Sequence, residues 1–96
     1  MKSNRKGLSR HFGSIVKGTG YVIMTNKKLP NLSYNKTLVN DVVIVAENER
    51  IRIQHMWLDV PTDKRKPGLI SFSGLVSSYQ RHNGSWDYTL TNLVVE

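Results

Sequence analysis

At 96 residues the chain is one small domain, able to bury roughly 60–65% of the surface that its unfolded form exposes. Its 39% hydrophobic content suits a globular core rather than a disordered chain, and no apolar run approaches the ~18–20 residues of a membrane-spanning helix. The net charge of +7 and the absence of cysteine point to an anionic partner and exclude disulfides, thiol nucleophiles and cysteine-based zinc sites.

Residues 1–10 are polar and basic without periodicity and read as a flexible arm, leaving 11–96 as the folded unit. From there the pattern is one strand after another. Phe12, Ser14, Val16, Gly18, Gly20, Val22 and Met24 alternate with Ile15, Tyr21 and Ile23, predicting a long first strand whose glycines allow a sharp bend. Residues 26–36, with paired lysines, Pro30 and three asparagines, predict a loop. The β-branched run 38–46 (LVNDVVIVA) predicts a second strand and 51–60 a third. After the basic loop 61–68 (PTDKRKPG), residues 69–80 and 86–95 predict the fourth and fifth strands. Apolar residues nowhere recur at helical spacing over a useful length, so no substantial helix is expected.

Parity sets the last hairpin. Ile70, Phe72, Gly74 and Val76 share one face of the fourth strand, and Tyr88 and Leu90 one face of the fifth. A two-residue Asn83-Gly84 turn would put these sets on opposite sides. A three-residue loop, His82-Asn83-Gly84 with Gly84 left-handed, pairs Val76 with Leu90 and Phe72 with Val94 and keeps one apolar face. On the third strand two readings stay open. Straight alternation from Ile51 and Ile53 points His55 and Trp57 inward, whereas a bulge near Gln54 and His55 puts Met56, Leu58 and Val60 inside and Trp57 out.

The expected fold is all-β, a five-stranded OB-like Greek-key barrel, with an SH3-like barrel as the alternative. The long glycine-bent first strand and the short final hairpin favour the OB-like arrangement. It departs from many OB-folds in having no helix between the third and fourth strands.

Catalytic signatures are missing. Lys17-Gly18-Thr19-Gly20 lacks the spacing and following helix of a phosphate-binding loop, and reads as a structural bend. His11, His55 and His82 are far apart, with no metal-ligand spacing. No serine stands on a sharp elbow beside a histidine and an acid, and the acids form no two-metal pattern. The expectation is a non-enzyme without cofactor or metal. The first thirty residues lack the apolar stretch of a signal peptide, so the expected compartment is the cytoplasm.

The charge is lopsided. Lys2, Arg5, Lys6, Arg10, Lys17, Lys27, Lys28 and Lys36 all lie in residues 1–40, which hold no acid, while bases and acids nearly balance in 41–96. A basic excess confined to one part of a small domain is the footprint of polyanion binding. Nonspecific single-strand binders combine cations for phosphates with aromatic faces for bases. The candidate set here is Lys17, Tyr21, Lys27, Lys28, Tyr34, Lys36, Arg50, Arg52, Trp57, Tyr79, Arg81 and Trp86. Phe72 and Tyr88 share parity with the apolar set and are assigned to the core.

Several segments also carry a family resemblance. Lys36-Thr37-Leu38 leads into a β-rich run. It is followed by Gln54-His55-Met56-Trp57-Leu58, then 70–79 (ISFSGLVSSY), then Asp87-Tyr88-Thr89-Leu90-Thr91-Asn92. Together they resemble a group of small OB-fold-like, nucleic-acid-associated proteins encoded by Gram-positive bacteria, their phages and mobile elements. That pattern has Asp-His-hydrophobic-Trp on the third strand, and Gln54 stands here in place of its Asp. The resembling positions are mostly core-packing ones and imply the fold rather than binding residues. The combined expectation is low-specificity binding of single-stranded DNA or RNA, DNA first, through the basic loop and exposed aromatics. The alternatives are a protein-interaction module with an acidic protein partner and an RNA- or ribosome-associated barrel. The oligomeric state is left open.

Overall fold

The computed structural model describes residues 5–28, 35–81 and 83–96. The fold is all-β. Five antiparallel strands, β1 (Ile15–Lys28), β2 (Asn35–Ala46), β3 (Glu49–Leu58), β4 (Gly68–Gln80) and β5 (Trp86–Val95), form one curled half-barrel sheet in the order β3-β2-β1-β4-β5. β4 returns beside β1 instead of pairing with β3, which gives the 4-1-2-3 order of a Greek key. The long first strand thus pairs with two partners, as the OB-like reading requires. The β3–β4 connection holds only a 3-10 turn, Thr62–Lys64. Among the described residues no helix is long and apolar enough to cross a membrane.

Pleat alternation builds the core. Val16, Gly18, Gly20 and Val22 face inward on β1, while Ile15, Lys17, Thr19, Tyr21 and Ile23 face out. Val39, Val42, Ile44, Ile51, Ile53, Met56, Leu58, Phe72, Val76 and Leu90 complete the interior. The two β1 glycines let the sheet close on itself. A Cβ added at Gly18 would lie 2.8 Å from Ile44 Cδ1 and 2.9 Å from the Val43 carbonyl, and one at Gly20 would lie 2.5 Å from Val39 Cγ1.

Irregularities in the pairing re-aim the strands. Between Thr19 and Tyr21 the β1–β2 register slips by one residue around Asp41, whose φ is +51°. Val39 and Val42 consequently both point inward, although three residues apart. β3 follows the same break: Ile53 and Met56 are buried, while Gln54 and His55 are exposed. The β2–β3 register is unbroken, so β3 carries no extra residue of its own, but its inward set is the one expected of the bulged alternative, with Met56, Leu58 and Val60 buried. Trp57 alternates with them, half-buried.

The final hairpin has the expected three-residue loop. The Arg81 N–H donates to the Ser85 carbonyl at 2.7 Å, Gly84 has φ +88°, and Val76 pairs with Leu90. The expected pairing of Phe72 with Val94 is corrected to Val95. An extra residue enters β5 at Asn92 (φ +52°), which turns Leu93 and Val95 toward the core and leaves Val94 exposed.

Two further expectations are corrected. The loop assigned to 26–36 is shorter, because Lys27 pairs with Lys36 and Lys28 with Asn35, extending the β1–β2 hairpin. The flexible arm assigned to 1–10 is, from Arg5 onward, a 3-10 helix (Arg5–His11) packed against β3, β4 and β5; residues 1–4 lie outside the described residues. Leu8 explains why it docks. It is the helix's one large apolar side chain and is completely buried, which stabilises by about 1.5–3 kcal/mol.

The helix bridges a seam, since β3 and β5 are the two edges of the sheet and do not pair. Arg5 donates from Nη1 to the Tyr79 hydroxyl and from Nη2 to the His55 carbonyl, each at 2.9 Å, and lies 3.8 Å from buried Asp87. Arg10 Nη2 donates to Glu49 Oε2 at 2.6 Å, and His11 Nε2 donates to Glu49 Oε1 at 2.6 Å. Both edge strands are thereby tied to one short helix.

Candidate nucleic-acid interface

The outward side chains of β1, β2 and β3 fall into rows set by strand register. Lys17 lies opposite Val45, which lies opposite Arg50; Thr19 lies opposite Val43, which lies opposite Arg52. Lys17, Arg50 and Arg52 are all exposed. Strand spacing puts Lys17 and Arg50 about 10 Å apart across the sheet, and Arg50 and Arg52 about 7 Å apart along β3. Beyond the bulge the next row is His55, Asn40, Tyr21 and Leu69, with Tyr21 47% exposed. One face therefore presents three cations beside an accessible aromatic ring.

The electrostatics of this face differ from those of the seam. Among the described residues Lys17, Arg50 and Arg52 have no carboxylate partner. Glu49 is held by Arg10 and His11, Asp87 by Arg81 and Arg5, and Asp59 lies 3.6 Å from Arg65. The hydrogen bond from His11 holds the Glu49 carboxyl below its ordinary range against the opposing effect of burial, and Arg10 adds to the lowering. Burial pushes Asp87 up, but the Arg81 guanidinium, the Tyr88 N–H and Arg5 outweigh it and keep the carboxyl below its ordinary value. Asp87 in turn raises Arg81.

The residues named from sequence separate into groups. Lys17, Tyr21, Arg50 and Arg52 come together on the outer face, and half-buried Trp57 follows on β3, opposite Leu38. Lys27, Lys28 and Lys36 stand in the strands of the extended β1–β2 hairpin, where Lys27 and Lys36 oppose each other in register. Tyr34 lies outside the described residues. The other three are elsewhere. Tyr79 accepts the Arg5 hydrogen bond, Arg81 is paired with Asp87, and Trp86 is exposed beside the final hairpin.

Trp86 belongs to a groove that sequence reasoning missed. Phe12, expected at the start of the first strand, precedes that strand and is 59% exposed, its ring edge-on to Tyr88 at 6.4 Å. Tyr88 packs against the core as expected, yet also lines this groove. The signal present in the sequence was the shared parity of Ser78, Trp86 and Tyr88 beyond the last core pair, Val76 and Leu90.

No three His, Asp or Glu side chains among the described residues are grouped to hold a metal ion. Comparison with protein-family models, with curated proteins and with solved structures found no match. The family resemblance therefore rests on the quoted segments alone.

Proposed function

We propose that this barrel is a cytoplasmic, non-enzymatic binder of single-stranded nucleic acid, DNA before RNA, with little sequence preference. The observation that carries the reading is the set of three exposed cations, Lys17, Arg50 and Arg52, on one sheet face without an acid partner among the described residues. Phosphates run along these cations and toward the lysines of the β1–β2 hairpin, and Tyr21 stacks a base, a contact worth ~1–3 kcal/mol. OB-like barrels use this side of the sheet for oligonucleotides, which supports the placement. Arg5 and Arg10 are engaged within the fold and take no part.

The test is fluorescence anisotropy with labelled poly-dT of about 20 nucleotides at several salt concentrations, with duplex of equal length as competitor. With about five phosphates neutralised, log affinity falls against log salt with a slope near −3.5. Poor competition by duplex is the expected result. A slope near zero overturns the reading, and the exposed Ile15, Ile23, Val45 and Leu69 on the same face then favour a protein partner.

A further inference from the structure

The groove beside the final hairpin is a second surface, separate from the outer face. Ser78, Trp86 and Tyr88 occupy the side of β4–β5 that carries Val76 and Leu90, just past the end of the core, and the N-terminal helix and its exit supply Lys6, Ser9 and Phe12. The groove has a volume of about 670 Å³, in the size range of small-molecule sites. Three of its walls are aromatic, and Trp86 is 61% exposed, so a ring face is open to a ligand. The remaining walls are one ammonium and two hydroxyls.

Charge selects the ligand. Aromatic walls alone would also suit a quaternary ammonium, held by the negative ring faces. Among the described residues no acid lines the groove and none pairs with Lys6, which repels a cation. The complement of an open indole, a nearby ammonium and two hydroxyl groups is a flat heteroaromatic ring carrying a phosphate. We infer that this groove binds one nucleotide unit, its base stacked on Trp86 and its phosphate paired with Lys6, with Ser9 and Ser78 available to the base edge or sugar. The inference rests on the preceding reading only for the class of ligand. It uses none of the same residues, and the unit is either a free nucleotide or one residue of a strand.

The experiment titrates a Trp57→Phe protein, in which Trp86 is the one remaining tryptophan, with a mononucleotide, with the matching nucleoside and with an oligonucleotide. Stacking quenches Trp86 fluorescence. Quenching by the mononucleotide assigns the groove to a free nucleotide, and quenching by the oligonucleotide alone assigns it to a unit within a strand; either supports the site. Lys6→Ala is expected to weaken phosphate-bearing ligands and leave the weak nucleoside signal unchanged. In the protein with native Trp57, Trp86→Leu is expected to lower oligonucleotide affinity about 5- to 150-fold, the weight of one base stack. Trp86 is largely exposed, so that variant folds, which circular dichroism checks. A combined Lys17, Arg50 and Arg52 to Ala protein separates the two surfaces. Loss of strand affinity with mononucleotide quenching retained leaves the groove standing alone. Absence of quenching by both mononucleotide and oligonucleotide overturns the inference, whatever the outer face does.

Discussion

The outer face of β1–β3 and the seam between β3 and β5 are made from the same residue types, arginines beside aromatic rings, and use them in opposite ways. At the seam each arginine meets an acid or a carbonyl: Arg5 spans Tyr79, His55 and Asp87, while Arg10 shares Glu49 with the His11 ring. Their charge is spent within the molecule, where it ties the N-terminal helix to both sheet edges. On the outer face Lys17, Arg50 and Arg52 stand in register rows with Val45, Val43 and Thr19, and among the described residues no acid answers them. The lesson is that a count of bases says little about binding until the position of the acids is known. Here Glu49 and Asp87 meet the cations of the docked helix, while Lys17, Arg50 and Arg52 are left without an ion pair among the described residues on one sheet face.

Breaking the seam gives the largest effect. Leu8→Ala leaves a cavity under the helix and is expected to lower unfolding free energy by about 2–5 kcal/mol in urea denaturation. A loss below about 1 kcal/mol would mean that the helix contributes little to the domain. Next comes the direct comparison of cations. Arg5→Ala removes charge-assisted hydrogen bonds and is expected to cost about 1.5–3 kcal/mol, with the salt dependence of strand binding unchanged. Replacing Lys17, Arg50 and Arg52 together by Ala should do the reverse: stability moves by about 0.5 kcal/mol or less per site, and the salt slope flattens by about 2. If Arg5→Ala flattens the slope as much as the triple variant does, the division between the two regions fails.

The pH response sharpens the same contrast and is the smallest effect. Asp87 is held below its ordinary value of 3.8 in the folded state, so it binds fewer protons there than in the unfolded chain. Its stabilising contribution is complete above that value and is lost as pH falls through the lower folded-state pKa. Glu49 acts with the same sign below its ordinary 4.5. Acid unfolding followed by circular dichroism should therefore become shallower in Asp87→Asn. The triple outer-face variant should retain the steep wild-type profile.

Much of the sheet was legible because pleat alternation is local. The Val16-Gly18-Gly20-Val22 series, the three-residue hairpin loop and the Val76–Leu90 pair all follow from period-two patterning and from one apolar face per strand. The errors fell where a single residue changes parity. Asn92 carries no mark that separates a bulge from a continuing strand, and only the inward turn of both Leu93 and Val95 reveals the slip from Val94. The N-terminal helix was illegible for another reason. Its seven residues hold one large apolar side chain, too few for any periodicity, and its order comes from Glu49, Asp87 and the core.

The candidate binding residues divide along the same line. That Lys17 and Tyr21 point outward, and that Arg50 and Arg52 do so on β3, follows from alternation with buried neighbours. That these two pairs lie on one surface, while Tyr79 and Arg81 are taken up by Arg5 and Asp87, depends on which strands become neighbours. The sequence by itself determined the all-β class, the inward face of most strands, the tight bend at Gly18 and Gly20, and the basic excess of residues 1–40. Tertiary structure alone decided which cations are neutralised, how the seam is bridged and which three rings line one groove with Lys6. The physical reason is range: side-chain direction is dictated within a few residues by the pleat, whereas charge pairing depends on strands that meet only when the sheet curls.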